Sequence, residues 1–342
     1  MSLRPTHVAK RAKARVFSHG RRSALRFGLG CGCAVGGLGG HAGKAVARLL
    51  DYDLSASEIA PGSWAVLGAT EWFDELNGGN IVNAAFIEVP DGIVVIDTGP
   101  SRRYGEALLA LIERTVPGRK ILRVYNTHHH PDHFLGNQVF DVATIASSQG
   151  VIDNIVAEGD AFADNLYRLL GDWMRGTAPV APAVALEVDS EDVGGRTFSL
   201  FRLAGHTSAD LVIRDEKTGV LYTGDLAFLS RAPTTPHADI ALWRDAITTL
   251  GTTDRELILP GHGPEDVSGE SLEQTVDWLD WLDGTLREAV SAGLTMNEAM
   301  LLPIPPRLAS LGVARTEFER SVVHLYPGLE DELFPRIDVD RG

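Results

Sequence analysis

The sequence predicts an α+β fold in which two β-sheets stack face to face and helices cover both outer faces, a four-layer αββα sandwich. Short aliphatic runs typical of strands occur in two groups, at about residues 64–125 and 184–259, and helical patterns are interspersed with both groups. The chain has 342 residues and 44% hydrophobic residues, enough to bury a large core. A layered arrangement buries the apolar face of every such element.

The elements of the first sheet come first in the chain. Its predicted strands are residues 64–67, 81–89, 93–97 and 121–125. An Asp91-Gly92 hairpin turn joins the second strand to the third. A helix is predicted over residues 103–115, which Pro117-Gly118 ends, and another over 160–175, from a stripe of aromatic and leucine residues at helical spacing.

A second run of elements follows. Its predicted strands are residues 184–188, 197–203, 211–214, 220–223 and 256–259, with a helix over 238–250 before the last strand. Beyond residue 265 the pattern is helical, at 272–292, 297–302 and 314–325, with a proline-rich break at 303–306. We therefore expect a core domain of residues 48–265 and a helical C-terminal extension, residues 266–342, packed on it.

The seven residues from Thr127 to His133 read T-H-H-H-P-D-H, directly after a predicted strand. Imidazole and carboxylate groups are ligands that suit zinc or a similar divalent ion. Because side chains alternate along an extended chain, His129 is expected to point away from the side that His128 and His130 share. Three more strand ends carry such ligands beside glycine: Gly205-His206-Thr207, Thr223-Gly224-Asp225 and Pro260-Gly261-His262-Gly263.

In this order, the motifs H-x-H-x-D-H, G-H-T, T-G-D and G-H-G resemble those of the metallo-β-lactamase fold superfamily, over residues 64–264. The resemblance implies one metal ion on His128, His130 and His206, and a second on Asp132, His133 and His262, with Asp225 bridging both. It also implies that Asp97 orients the histidine loop without binding metal. The implied cofactor is two Zn²⁺ per chain, with iron or manganese as alternatives.

The implied ligand set predicts a binuclear zinc-dependent hydrolase that uses a metal-bridging hydroxide on a small ester, thioester, lactone or amide. Asp132 and Asp225 are the catalytic candidates, because either can receive a proton as the tetrahedral intermediate collapses. Aspartate at 225, where some β-lactamases have a cysteine ligand, favours similarity to glyoxalase II-like hydrolases, thioesterases and lactonases. A class B-like β-lactamase and a mononuclear iron persulfide dioxygenase stay open as alternatives.

Several longer segments resemble a narrower group, the quinoprotein relay system zinc metallohydrolases. They are residues 97–107, 134–138, 165–168, 171–176, 231–239 and 319–327. The resemblance implies a link to periplasmic quinoprotein metabolism, with a periplasmic quinoprotein dehydrogenase or a cytochrome as partner, and it does not name a substrate. A non-catalytic metal-binding accessory of a quinoprotein respiratory chain is the alternative to an enzyme.

Charge sets the N-terminus apart from the rest of the chain. The net charge is −15, which argues against nucleic acid as a substrate, yet residues 1–50 contain no acidic residue. Arg21-Arg22 precedes a glycine-rich apolar run, residues 27–40, and then an Ala45-Val46-Ala47 sequence suited to cleavage. We expect residues 1–47 to be a twin-arginine-type signal peptide and the mature chain to be periplasmic, without a transmembrane segment. A basic tail or a misassigned start codon is the alternative.

Two loops offer contacts to a small-molecule substrate. The loop after Asp225 carries Arg231 and His237 and is expected to border the metals, and Asn80 ends a second loop, residues 76–80. Arg231 can bind a substrate carboxylate or, equally, pair with Asp239.

Overall fold

The computed structural model describes residues 50–334, and these form two stacked sheets with helices on both outer faces. The expected fold class, including helices at the C-terminal end, is confirmed. The expected signal peptide, residues 1–47, lies outside the described residues.

The first sheet has seven strands in the order β1 to β7. They are β1 (Ser57–Ala60), β2 (Ser63–Val66), β3 (Ala84–Val89), β4 (Gly92–Ile96), β5 (Ile121–Tyr125), β6 (Ile145–Ser147) and β7 (Val184–Ala185). Strands β1 to β4 pair antiparallel, and β4 to β7 pair parallel. Parallel neighbours need crossover connections. These contain α1 (Arg102–Thr115), the short α2 (Pro131–Phe134) and α3 (Gln149–Leu170).

The second sheet has five strands in the order β12-β11-β10-β9-β8. They are β8 (Ser190–Asp192), β9 (Thr197–Leu203), β10 (Asp210–Asp215), β11 (Val220–Phe228) and β12 (Leu257–His262). Strands β8 to β11 pair antiparallel. The β11–β12 pair is parallel, and α4 (Ile240–Thr252) makes the crossover between them.

Three apolar layers hold the sandwich together. One lies between the sheets, where Val94 and Tyr125 of the first sheet join Phe198 and Tyr222 of the second. The second packs the outer face of the first sheet on α1 and α3, and the third packs the outer face of the second sheet on the remaining helices. Burial of each large apolar side chain contributes about 1.5–3 kcal/mol, so both faces of each sheet stabilise the fold.

Four helices follow the second sheet within the part of the chain that the structure describes, up to residue 334. They are α5 (Glu270–Ser291), α6 (Met296–Ala299), α7 (Pro306–Ala309) and α8 (Ala314–Leu333). Trp278 of α5 and Phe318 of α8 belong to the same apolar cluster as Phe228 of β11 and Trp243 of α4. Within residues 50–334, no helix combines the length and the apolar character that a membrane crossing requires.

Several predicted boundaries were wrong. Helix α3 begins at Gln149, not at residue 160, because Ser148 caps it by accepting from the Val151 N–H, and glycines 150 and 159 had hidden its first turns. The strand predicted from residue 81 begins at Ala84, since Asn83 instead bonds to the backbone of Gly261. Strands β11 and β12 also extend further than predicted, to Phe228 and His262.

Candidate metal centre

Four strand ends bring the seven predicted ligands to one edge of the sandwich. The loop after β5 and the start of α2 supply four of them, the turn after β9 supplies His206, and β11 and β12 supply Asp225 and His262. All seven side chains are buried. Their ligand atoms form two groups: His128, His130, His206 and Asp225 in the first, and Asp132, His133 and His262 in the second.

The first group is arranged around His206. Nε2 of His206 lies 2.8 Å from Nδ1 of His130 and 3.3 Å from Oδ2 of Asp225. Nε2 of His128 lies 3.9 Å from the same Asp225 oxygen. Three nitrogens and one carboxylate oxygen therefore converge.

The second group is arranged around Asp132. Its Oδ2 lies 3.4 Å from Nε2 of His262 and 3.8 Å from Nε2 of His133. Asp225 lies between the two groups, because its Oδ1 is 3.2 Å from His133 Nε2 and its Oδ2 is 3.4 Å from His262 Nε2. The Asp225 carboxylate therefore faces nitrogens of both groups.

The outer nitrogens of three histidines are held by the protein. Nδ1 of His133 lies 2.7 Å from Oδ2 of Asp97, Nδ1 of His262 lies 2.7 Å from the Ile81 carbonyl, and Nδ1 of His128 lies 3.1 Å from the Thr127 hydroxyl. A proton on each Nδ1 leaves the Nε2 lone pair free and directed inward. Such outer contacts fix the tautomer and the ring orientation of histidine ligands.

Asp97 organises the whole histidine loop. Its Oδ1 accepts from the Thr127 N–H at 2.9 Å, and its Oδ2 accepts from the Thr127 hydroxyl at 2.8 Å as well as facing His133. Its backbone has φ 56°, a left-handed conformation that aspartate adopts more readily than most residues. Asp97 is not a member of either ligand group.

The inward-facing atoms fit divalent metal ions. Nε2 of His128, Nε2 of His133 and Oδ1 of Asp225 are buried and have no hydrogen-bond partner within residues 50–334. A buried polar atom without a hydrogen bond costs about 1–3 kcal/mol, and a divalent cation bound between these atoms would offset that cost. Imidazole and carboxylate donors at this spacing suit zinc and similar ions.

The electrostatics of the two groups differ. Burial, together with neighbouring histidines, holds the pKa of His128 and that of His130 well below the usual range, so both rings are neutral as metal ligands must be. Burial opposes protonation of His133 too, but the carboxylates of Asp225, Asp97 and Asp132 raise its pKa well above the usual range. The second group is thus the more negative of the two and favours a cation.

Glycine is required where the strands approach each other. A Cβ at residue 261 would lie 1.9 Å from Oδ1 of Asp225, and a Cβ at residue 224, where φ is +51°, would lie 2.7 Å from Cβ of Thr127. The glycines that flank the ligands in the sequence therefore provide the space in which Asp225 sits.

A cavity opens onto the two groups. Asp132, Asp225 and His262 contribute to its floor, and apolar side chains such as Trp72, Phe73, Phe162, Leu166 and Leu169 contribute to its walls. Arg320 of α8 lines it as well, so the C-terminal helices help to form the site. Arg320 lies within the segment 319–327 that resembles the quinoprotein relay group, but no local pattern indicated that it reaches the cavity, because it follows the last ligand, His262, by 58 residues.

The three predicted substrate contacts occupy different places. His237 lines the cavity, with its Nδ1 2.8 Å from Nε2 of His130. Arg231 also lines it but is buried and pairs with Glu317, not with Asp239, which caps α4 instead. Asn80 is not among the residues that line the cavity, and its backbone closes the turn that precedes Ile81.

His129 belongs to neither of these two groups, but its ring forms a third group with His130 and His237, in which the ligand atoms lie within 4.8 Å of one another. It is 2% exposed, and its Nε2 lies 3.7 Å from Oε1 of Glu158 on α3. The ring also neighbours His237, at 5.4 Å between centroids. The sequence did not indicate that α3 places a carboxylate beside these two histidines.

The sequence profile of the metallo-beta-lactamase superfamily matches residues 77–262, which contain all seven predicted ligands. The chain belongs to this superfamily. The expectation drawn from the four motifs is thereby confirmed at the level of the superfamily.

Individual relatives are distant. A linear primary-alkylsulfatase of Pseudomonas sp. (strain ATCC 19151) is 23% identical over 284 residues, 70% of this chain and 53% of the relative, so this chain spans about half the length of that protein. The acyl-coenzyme A thioesterase MBLAC2 of Homo sapiens is 25% identical over 223 residues, 56% of this chain and 77% of the relative. The structure of the sec-alkylsulfatase Pisa1 from Pseudomonas sp. has a TM-score of 0.61 at 20% identity, over 84% of this chain and 51% of that one. At this identity the structural likeness concerns the fold alone.

Proposed function

We propose that this protein is a hydrolase that uses two divalent metal ions, with zinc as the first candidate, to cleave a small ester or thioester. The observation that carries the proposal is the set of buried atoms of His128, His133 and Asp225 that make no hydrogen bond and lie close together, behind a cavity that Asp132, Asp225 and His262 line. The superfamily membership supports hydrolysis, and the names of two relatives supply an alkyl sulfate ester and an acyl-coenzyme A thioester as substrate classes.

The residues of the two groups would hold the ions. His128, His130 and His206 would hold one, Asp132, His133 and His262 the other, and Asp225 would be shared by both. Bound divalent ions supply a nucleophile from water at neutral pH and polarise the oxygen of the bond under attack. No serine, cysteine or lysine nucleophile is then needed.

The remaining residues orient the ligands and admit the substrate. Asp97 keeps the Nδ1 proton on His133, so that Nε2 points into the site. Asp132 and Asp225 both line the cavity, and we propose them as the groups that receive a proton during turnover. The apolar walls at Phe73, Phe162 and Leu166 exclude water from the bond that is cleaved and suit an acyl or alkyl chain.

Metal content measured by mass spectrometry, together with turnover of an ester and thioester panel, tests the proposal. The expected result is about two zinc ions per chain, with a clear loss in Asp225→Ala, and zinc-dependent turnover of at least one panel member. About one iron per chain, with no ester or thioester turnover, would contradict it and favour an oxygenase.

We also propose export to the periplasm and an association with quinoprotein metabolism. The support is the sequence of residues 1–47 and the segments that resemble the quinoprotein relay group. A reporter fused after residue 47 is expected to reach the periplasm, and Arg21→Lys together with Arg22→Lys to retain it in the cytoplasm. Co-purification with a quinoprotein dehydrogenase or a cytochrome from native periplasm tests the partner, and repeated failure of that capture contradicts it.

A further inference from the structure

Two arginines share one carboxylate at the wall of the cavity. Glu317 of α8 is fully buried, and its Oε1 accepts from Nη2 of Arg231 at 3.2 Å and from the Thr234 hydroxyl at 2.9 Å. Its Oε2 accepts from Nη1 of Arg320 at 2.9 Å. Two guanidinium charges against one carboxylate leave this cluster with one surplus positive charge.

The surplus charge is available at Arg320. The side chain of Arg231 is 2% exposed, whereas that of Arg320 is 32% exposed. The bond to Glu317 is the one hydrogen bond that the side chain of Arg320 makes within residues 50–334, so the other N–H groups of its guanidinium have no hydrogen-bond partner there. Its guanidinium lies over the ring of Trp72, 4.5 Å from the centroid, which holds it at the cavity wall.

We propose that Arg320 binds a carboxylate of the substrate, and hence that the substrate is an ester or thioester whose acyl or alkyl chain carries a second, anionic end. The inference rests on the proposed hydrolase function and assigns its substrate class. The cavity that Arg320 lines also contains Asp132, Asp225 and the apolar side chains of Phe162 and Leu166, so a molecule that fills it contacts all three kinds of group.

The charge and shape of the cluster favour a carboxylate. A guanidinium presents paired N–H donors that match the two oxygens of a carboxylate. The single surplus charge balances one carboxylate, whereas a phosphate monoester carries nearly two negative charges and would need a second free cation. In a chain with a net charge of −15, a local positive charge in the cavity also steers an anion to this point.

Matched esters test the inference by kinetics. Mono-p-nitrophenyl adipate and p-nitrophenyl hexanoate have chains of equal length and differ in the terminal carboxylate. On the zinc-loaded protein, we expect about a tenfold higher kcat/KM for the adipate ester, mainly through KM, as for one partly exposed charge-assisted contact. Arg320→Gln is expected to bring the ratio of the two substrates close to one, and Arg320→Lys to keep part of it.

Arg315→Gln is the matched control. Arg315 lies on the same helix over the ring of Phe318, with 5.4 Å to the centroid, and is not among the residues that line the cavity. The preference for the adipate ester should persist in this variant. Equal kcat/KM values for the two esters in the wild type overturn the inference, and so does a preference for the adipate ester that survives in Arg320→Gln. In either case, turnover of the esters leaves the proposed hydrolase function intact.

A binding measurement separates the inference from the hydrolase function. Calorimetry on the zinc-loaded protein compares adipate with hexanoate, which share one carboxylate and differ in the second. Tighter binding of adipate than of hexanoate that is lost in Arg320→Gln supports the carboxylate site, whether or not either ester is hydrolysed. Absence of hydrolysis beside such binding would contradict only the proposed function. Equal binding of the two acids, or binding of neither, overturns the inference.

Discussion

Nε2 of His130 lies 2.8 Å from Nδ1 of His237, while Nδ1 of His130 lies 2.8 Å from His206 in the first ligand group. If Nδ1 of His130 binds a metal ion, the proton of the neutral His130 ring resides on Nε2. His130 Nε2–H then donates a hydrogen bond to Nδ1 of His237. His237 thereby contacts His130, a candidate metal ligand. On its other side, Nε2 of His237 lies 3.7 Å from Oε2 of Glu158. This gives His237 a positioning role in addition to its place at the cavity wall.

Replacement of His237 by alanine should therefore weaken metal binding. We expect the zinc affinity of the protein to fall about tenfold, because outer contacts of histidine ligands contribute on that scale. Competition with a chromophoric chelator measures it. His324→Ala, an exposed histidine on α8, is the control, and equal affinities in the two variants would show that His237 does not position His130.

Asp97→Asn tests the carboxylate that organises the histidine loop. Asparagine tolerates the positive φ at this position but lacks the second carboxylate oxygen that faces both the Thr127 hydroxyl and His133. We expect a loss in zinc affinity of about 10- to 100-fold with the fold retained. Chelator competition measures the zinc affinity, and circular dichroism checks that the fold is retained. Asp91→Asn, at an exposed turn, should leave the affinity unchanged.

Gly261→Ala tests the close approach of β12 to Asp225. The added Cβ would meet Oδ1 of Asp225 at 1.9 Å, so the carboxylate must move. We expect mass spectrometry to find fewer than two metal ions per chain, because the displaced Asp225 carboxylate no longer supports the second ion. Gly251→Ala in α4 is the control, because a Cβ there meets nothing within 4 Å and alanine favours a helix by about 1 kcal/mol. Full metal content in Gly261→Ala would contradict the prediction.

Glu317→Ala tests the buried ion pair that joins α8 to the loop after β11. It leaves the guanidinium of Arg231, 2% exposed, without a charged partner. We expect the free energy of unfolding to fall by about 3–5 kcal/mol, measured by urea denaturation. The double variant Arg231→Met with Glu317→Leu should recover a large part of this loss. If the single and double variants unfold at the same urea concentration, the stranded charge is not the cause.

Asp266→Asn tests a carboxylate that stabilises the start of α5. Its oxygens accept from the backbone and side chains of Ser268 and Ser271 and from the Gly269 N–H. Despite burial, these hydrogen bonds lower its pKa to about 2. A lowered pKa stabilises the fold above the unfolded-state value near 4, and this contribution is lost as the pH falls towards 2.

We expect Asp266→Asn to lower the free energy of unfolding by about 1–2 kcal/mol at pH 7, with the difference from wild type narrowing as the pH falls below about 4. Urea denaturation at several pH values measures it. Asp254→Asn, an exposed aspartate, should not reproduce the pH dependence. A difference that is constant with pH would exclude ionisation of Asp266 as the cause.

The sequence predicted the fold class and most elements because periodicity is a local property. The aliphatic runs of β4, β5 and β12 and the leucine face of α1 appear directly in the order of residues. The sequence was less informative about boundaries. A tertiary contact, the bond from Asn83 to the Gly261 backbone, delays β3, and a local cap at Ser148 starts α3 eleven residues earlier than its aromatic stripe suggested.

The sequence by itself determined which residues can bind metal, because the ligand types and their neighbouring glycines are written in four short motifs at strand ends. Only the tertiary structure decided what surrounds them. Arg231 pairs with Glu317, and Arg320 reaches the cavity, because α8 packs against the second sheet. Arg231 and Glu317 lie 86 residues apart in the sequence. A charge pair at that separation leaves no periodic or local pattern in the chain.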